Sequence, residues 1–240
     1  MEIIWYFFLY SILGYICEVI YCSIGQKRWV NRGFLHGPWI PVYGFGALAA
    51  LGIKEYVPHP AIFFLLAILA TSMIEYITGW MLETVFHIRL WDYRDHRFQL
   101  HGRICLLNAL LFGLLALGVG YGLHPMIAPI VNSFSERLRS FGASGMLLIL
   151  AVDTTASISS MAVFADRLNR VKNLHSLIEN RLEELTQELR DSLEGELARI
   201  FEQLRKSGTR LLNAFPTMHA DALDRQLQSV RDLMKKHRKR

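Results

Sequence analysis

The chain has 240 residues, 52% of them apolar and 20% charged, with a formal net charge of +5. That is too apolar for an ordinary soluble domain of this length. An odd set of three cysteines, Cys17, Cys22 and Cys105, without a Cys-x-x-Cys spacing, argues against both a disulfide framework and a zinc site. The averages hide a division: the long apolar runs lie in residues 1–165, whereas Arg, Lys, Glu and Asp crowd residues 166–240. The sequence therefore predicts a transmembrane domain followed by a cytoplasmic helical tail.

Five apolar stretches read as spanning helices: residues 3–24, 39–53, 60–82, 104–123 and 143–165. The first is no cleaved signal peptide, since no basic segment precedes it and Glu18 interrupts its apolar run. The second is short, because about fifteen residues rising 1.5 Å each give roughly 22 Å, less than a hydrocarbon core. It carries Pro41, Gly44, Gly46 and Gly52, the composition of a helix that lines a cavity, or it extends through Lys54, Glu55 and Tyr56.

Lys27, Arg28 and Arg32, then Arg89, Arg94, Arg97 and Arg103, then Arg167, Arg170 and Lys172 fall on one side of five such crossings. Only Lys54, Arg137 and Arg139 fall on the other. The positive-inside rule places the N-terminus outside and the tail in the cytoplasm. The basic end, residues 235–240, suits anionic membrane lipid rather than nucleic acid.

A pattern occurs twice, 65 positions apart: Gly14-Tyr15, Glu18, Ile20-Tyr21, Arg32 and Leu35-His36-Gly37 reappear as Gly79-Trp80, Glu83, Val85-Phe86, Arg97 and Leu100-His101-Gly102. This reads as a tandem parallel helical-hairpin repeat, with copies at about residues 3–57 and 60–123 and the fifth span at 143–165. Carboxylates at membrane depth need a partner, so Arg32 and Arg97, or His36 and His101, are expected to fold back onto Glu18 and Glu83. Gly37-Pro38 and Gly102 are read as helix starts, and two helix N-termini flanked by Arg32, Arg97, Arg103, His36 and His101 favour an anion. Structural ion pairs that pin the loops explain the same residues. Glu75 and Glu83 share one helix face, and Glu75 with Asp153 forms a candidate path for protons or a cation. Trp91 and Tyr93 are read as interfacial anchors.

Gly142-Ala143-Ser144-Gly145 matches the turn of an intramembrane serine protease, yet residues 143–165 offer no histidine to activate the serine. No cofactor, metal or nucleotide-binding motif is present, so ATP-driven work requires a separate ATPase subunit. From Leu168 to Leu204 the apolar residues follow a helical period, predicting one long amphipathic helix broken at Ser207-Gly208. Beyond the boundary at Phe215-Pro216-Thr217, a second helix would carry Leu223, Leu227, Val230 and Leu233. Such stripes predict a helical hairpin or a homo-oligomer contact.

The run Val30-Asn31-Arg32-Gly33-Phe34-Leu35-His36-Gly37-Pro38-Trp39-Ile40-Pro41-Val42-Tyr43-Gly44-Phe45-Gly46, with Trp91-Asp92-Tyr93 and Gly102-Arg103-Ile104-Cys105-Leu106, resembles the bacterial membrane family catalogued as putative ABC-transporter type IV. Gln99-Leu100-His101-Gly102 departs from the family pattern, which has Asn near that start. The resemblance implies a multi-pass permease of the bacterial cell membrane. Two functions follow as expectations. The first is a transport component with a cytoplasm-facing site for a small or lipid-linked anion, built from Glu18, Arg32, His36, Glu83, Arg97, His101 and Arg103. The second is a membrane-anchored scaffold or regulator acting through its tail, with an intramembrane enzyme a distant third.

Overall fold

A computed structural model describes residues 1–180, 187–215 and 218. Helices α1 (Glu2–Gln26), α2 (Pro41–Tyr56) and α3 (Pro60–Phe86) are followed by a two-stranded hairpin, β1 (Gln99–Leu100) and β2 (Ile104–Cys105). A second helical run joins α4 (Leu106–Leu117), a wide π-type turn (Gly118–Leu123) and α5 (His124–Ser133). Then come α6 (Glu136–Asn180) and α7 (Gln187–Ala214). Among the described residues, four helical segments are long and apolar enough to cross a membrane: Glu2–Gln26, Pro60–Phe86, Leu106–Ser133 and Glu136–Val171. Large apolar side chains such as Leu65, Leu69, Met73, Ile77, Leu148 and Val152 lie exposed along them, a surface that suits lipid and not water. The protein is membrane-embedded.

The chain divides into two compact units, Met1–Met81 with Asp92–Ser157, and Leu82–Trp91 with Ile158–Arg240. In the first, α2 is the central helix. Its 16 residues span about 24 Å at 1.5 Å per residue, short of the roughly 30 Å hydrocarbon core, so it is not among the four spanning segments. It approaches its neighbours through small residues. Ala47 packs with Tyr6 and Tyr10 of α1 and Val131 of α5, and Ala50 packs with Phe63 and Ala67 of α3 and Ala116 of α4. Gly44 lies so close to α1 that a Cβ there would sit 2.7 Å from the Phe7 carbonyl oxygen. Gly44→Ala is therefore expected to lose about 1–3 kcal/mol of stability, read as a lower unfolding midpoint in detergent. A matched Gly52→Ala on the same helix, whose Cβ meets nothing within 4 Å, is expected to show no loss.

The π-type turn has a local cause. Pro125 has no N–H to offer and its ring crowds the carbonyl four residues back, and the glycines at 118, 120 and 122 let the backbone widen instead. Lys54 at the end of α2 donates to the Gly120 carbonyl and stands 4.7 Å over the Tyr121 ring.

In the second unit, α7 packs along the later part of α6. Arg167 donates to the Gln203 carbonyl, 3.3 Å, and the Phe164 ring occupies the space beside Gly208 that a Cβ would fill. These pairings run in opposite chain directions, and Phe164, Leu168, Leu204 and Leu211 are fully buried. The expected break at Ser207-Gly208 is absent: α7 continues through both residues, because the glycine serves close packing and does not end the helix. α6 likewise runs unbroken through residues 165 and 166, where hydropathy falls. The expected helix at Leu223, Leu227, Val230 and Leu233, the Pro216-Thr217 boundary, and Leu182, Leu185 and the basic end all lie outside the described residues.

Candidate functional site

Glu18 lies on α1, and the loop after α1 turns back onto it. Arg32 Nε donates to Glu18 Oε1 at 3.0 Å, and the Tyr43 hydroxyl donates to Oε2 at 2.5 Å. The pair is largely enclosed, with side-chain exposures of 12% for Arg32 and 21% for Glu18. Gly14, one turn earlier, makes the arrangement possible, since a Cβ there would overlap the Tyr43 ring. The glycine and the carboxylate of the repeated motif thus form one device: the first admits the tyrosine and the second receives its hydrogen.

Glu75 belongs to the buried stripe of α3 formed by Phe63, Ala67, Thr71, Glu75 and Gly79, each four residues apart. Only 5% of the residue is exposed. The loop after α3 folds back so that the Tyr93 hydroxyl reaches Glu75 Oε1 in a long contact of 3.4 Å. The amide of Asn108, near the start of α4, donates to the same hydroxyl at 2.5 Å, which leaves the phenolic hydrogen directed at Glu75. Among the described residues, Glu75 Oε2 is buried without a hydrogen-bond partner. Burial first, and then the charges of Glu75 and Glu18, push the Tyr93 phenol well above its ordinary range, while Arg32 opposes them. Tyr93 is thus a neutral donor within electrostatic reach of both carboxylates and of Arg32.

Two further groupings lie in the same unit. Asp153 of α6 accepts the backbone N–H groups of His36 and Gly37 at 2.9 and 2.8 Å, and the Ser157 hydroxyl at 3.2 Å. His36 Nδ1 lies 2.7 Å from Ser157 Oγ and 3.3 Å from Asp153. Both partners engage the same ring nitrogen, whereas a histidine that activates a serine holds its carboxylate and its serine on opposite nitrogens. Elsewhere Arg103 donates to the Tyr76 hydroxyl at 3.1 Å and covers its ring at 5.2 Å, and that hydroxyl is hydrogen-bonded to His101 Nδ1 at 3.1 Å.

The two copies of the sequence pattern diverge in partners. Glu83 pairs with Arg89 at 2.5 Å, and Arg97 is exposed. The expected helix starts at Gly37-Pro38 and Gly102 are not formed there. α2 begins at Pro41, whose fixed φ and missing N–H suit the first helical position, and residues 36 and 37 give their N–H groups to Asp153 instead. In the other copy Leu100-His101-Gly102-Arg103 is a tight hairpin turn, with positive φ at His101 and Gly102 and Arg103 N–H donating to Leu100. Ser144 sits inside α6, not in a turn before a helix, and Gly142 accommodates the Trp5 ring.

Tyr43, Tyr93 and Asn108 were outside the residues that the sequence singled out for binding. Asn108 carried a signal, being an amide within the apolar run of residues 104–123. Tyr43 and Tyr93 did not, because tyrosines near a membrane surface serve first as anchors.

A family model matches residues 5–158, which cover α1 to the middle of α6 and every group of the cluster. The chain belongs to the family described as "Putative ABC-transporter type IV". The matched stretch ends one residue past Ser157, where the first compact unit ends, and also takes in Leu82–Trp91 of the second. No curated protein and no solved structure matches the chain.

Proposed function

We propose that this chain is the multi-pass membrane component of a transport system in a bacterial cell membrane, energised by a separate ATPase subunit, with the short α2 as a fifth crossing beside the four long ones, which puts the N-terminus outside and the tail in the cytoplasm. The observation that carries this reading is the convergence of Glu18, Arg32, Tyr43, Glu75, Tyr93 and Asn108, from α1, α2, α3, α4 and two loops, inside a unit whose exterior is apolar. Family membership supports transport as the activity and an ATPase as partner. Polar groups are costly to bury in a membrane segment, and a pinned loop alone does not require a carboxylate with an unused oxygen.

The substrate class is a small or lipid-linked anion. Arg103, whose partner Tyr76 also meets His101, is its cationic entry, and Arg32, shared with Glu18, is the inner cation for which the anion competes. Inorganic phosphate and a short-chain phosphatidic acid are the probes. Either is expected to raise the unfolding midpoint of the full chain in detergent, and Arg103→Ala is expected to weaken that effect at least tenfold in concentration. No shift with either probe, or an unchanged shift in the variant, rejects the anion. Shortening the chain after residue 165 separates transport from a scaffold acting through the tail: transport predicts retained anion response, whereas the scaffold predicts none to retain.

A further inference from the structure

We infer that Glu75 is a proton-binding site of the transport cycle, taking up one proton on Oε2 and releasing it to water. The inference deepens the transport reading and rests on it for its role, while its test reads the proton directly. The argument begins with what surrounds the carboxyl group. Among the described residues, Oε1 has only the long 3.4 Å contact from Tyr93, and Oε2 has no partner at all. The charged and titratable groups within electrostatic reach are Glu18 on α1, Tyr43 on α2 and Tyr93 on the loop, with Arg32 acting on the same phenol. Arg32 is already bound to Glu18, so an ionised Glu75 would be a carboxylate without a counter-ion.

A charge so placed inside a membrane segment must be neutralised by something that arrives. A metal ion needs several oxygen ligands, and among the described residues no group of three His, Cys, Asp or Glu side chains is placed to hold one. A proton needs one oxygen, and Oε2 is that oxygen. Proton uptake makes a single O–H bond and breaks none in the protein. The chain from Asn108 through Tyr93 to Glu75 stabilises the ionised form by one donated hydrogen, so that the proton is released as well as taken up.

Dicyclohexylcarbodiimide, which enters apolar sites and reacts with protonated carboxyl groups, tests this on the full chain in detergent, with the modified peptide identified by mass spectrometry. Glu75 is expected to be labelled, Glu18 is not, and the rate is expected to fall tenfold per pH unit above a midpoint. Tyr93→Phe, which keeps the ring and removes the donated hydrogen, is expected to carry that midpoint to higher pH. Absence of label at Glu75, a pH-independent rate, or an unmoved midpoint in Tyr93→Phe overturns the inference. Protection by sodium at constant pH overturns it too, by identifying a cation site. Glu75→Gln serves as the assignment control, and should Glu75→Gln fail to fold, the wild-type pH profile and Tyr93→Phe still decide the matter. A labelled, pH-responsive Glu75 with no anion response keeps the proton site and rejects the anion, so the two readings fail separately.

Discussion

Arg32→Met is expected to destabilise the protein by about 3–5 kcal/mol, the range for removing one partner of an enclosed ion pair, because Glu18 is then left as a charge held by the neutral Tyr43 hydroxyl and Cys22 thiol. Exposed ion pairs give about 0–1 kcal/mol, and the two cases separate cleanly by denaturation in mixed micelles. The enclosure of both side chains puts this pair in the first class. Glu18→Gln combined with Arg32→Met should recover most of the loss, since the new amide still offers Tyr43 an acceptor and no charge remains. A double-mutant cycle then isolates the coupling. A loss below about 1 kcal/mol in Arg32→Met would mean that water reaches the pair, and the enclosed polar cluster would lose its anchor.

Hydropathy made the membrane helices legible because burial in lipid and burial in protein select the same residues over many consecutive positions. It did not reveal that α6 continues through residues 165 and 166, since a helix can leave the membrane without breaking its backbone hydrogen bonds. Glycine was read by its most frequent role and misled at Gly208, where the missing Cβ makes room for Phe164 and the helix carries on. The same residue type at Gly14 gave a true signal, but its meaning was hidden. Nothing in the spacing says that the ring it admits belongs to Tyr43.

The site was legible as positions and not as pairings. Recurrence marked Glu18, Arg32 and His36, and Arg32 does fold back onto Glu18. The matching positions in the second copy went elsewhere: Glu83 to Arg89, and His101 to Tyr76. Ion pairing is set by where loops return, and loop paths depend on a few turn residues, here the positive-φ His101 and Gly102, which one-dimensional spacing does not encode. Asp153 was picked out, with Glu75, as a step on a proton or cation path. Its carboxylate accepts two backbone N–H groups, so its first role is to hold the loop that bears Arg32.

That anchorage yields the second large effect. Asp153→Leu removes the acceptor of two N–H groups and the partner of Ser157 and His36, and is expected to cost about 3 kcal/mol or more, since hydrogen bonds to a charged group contribute about 1.5–3 kcal/mol each. Asp153→Asn keeps one carbonyl oxygen and should lose about half as much. Amide hydrogen exchange reads the mechanism as well as the magnitude: the His36 and Gly37 amides should exchange faster in Asp153→Leu, while those of α3 around Ala67 remain protected. Arg32 stands four residues before His36 on the same loop, so its hold on Glu18 relies on that attachment. The coupling measured between Glu18 and Arg32 should therefore shrink in the Asp153→Leu background. If it does not, the loop is fixed by its other attachments, among them Ile40 N–H on the Ser11 carbonyl, Val30 N–H on the Ser23 hydroxyl and the Tyr15 to Asn31 hydrogen bond, and α6 has no part in shaping the polar cluster.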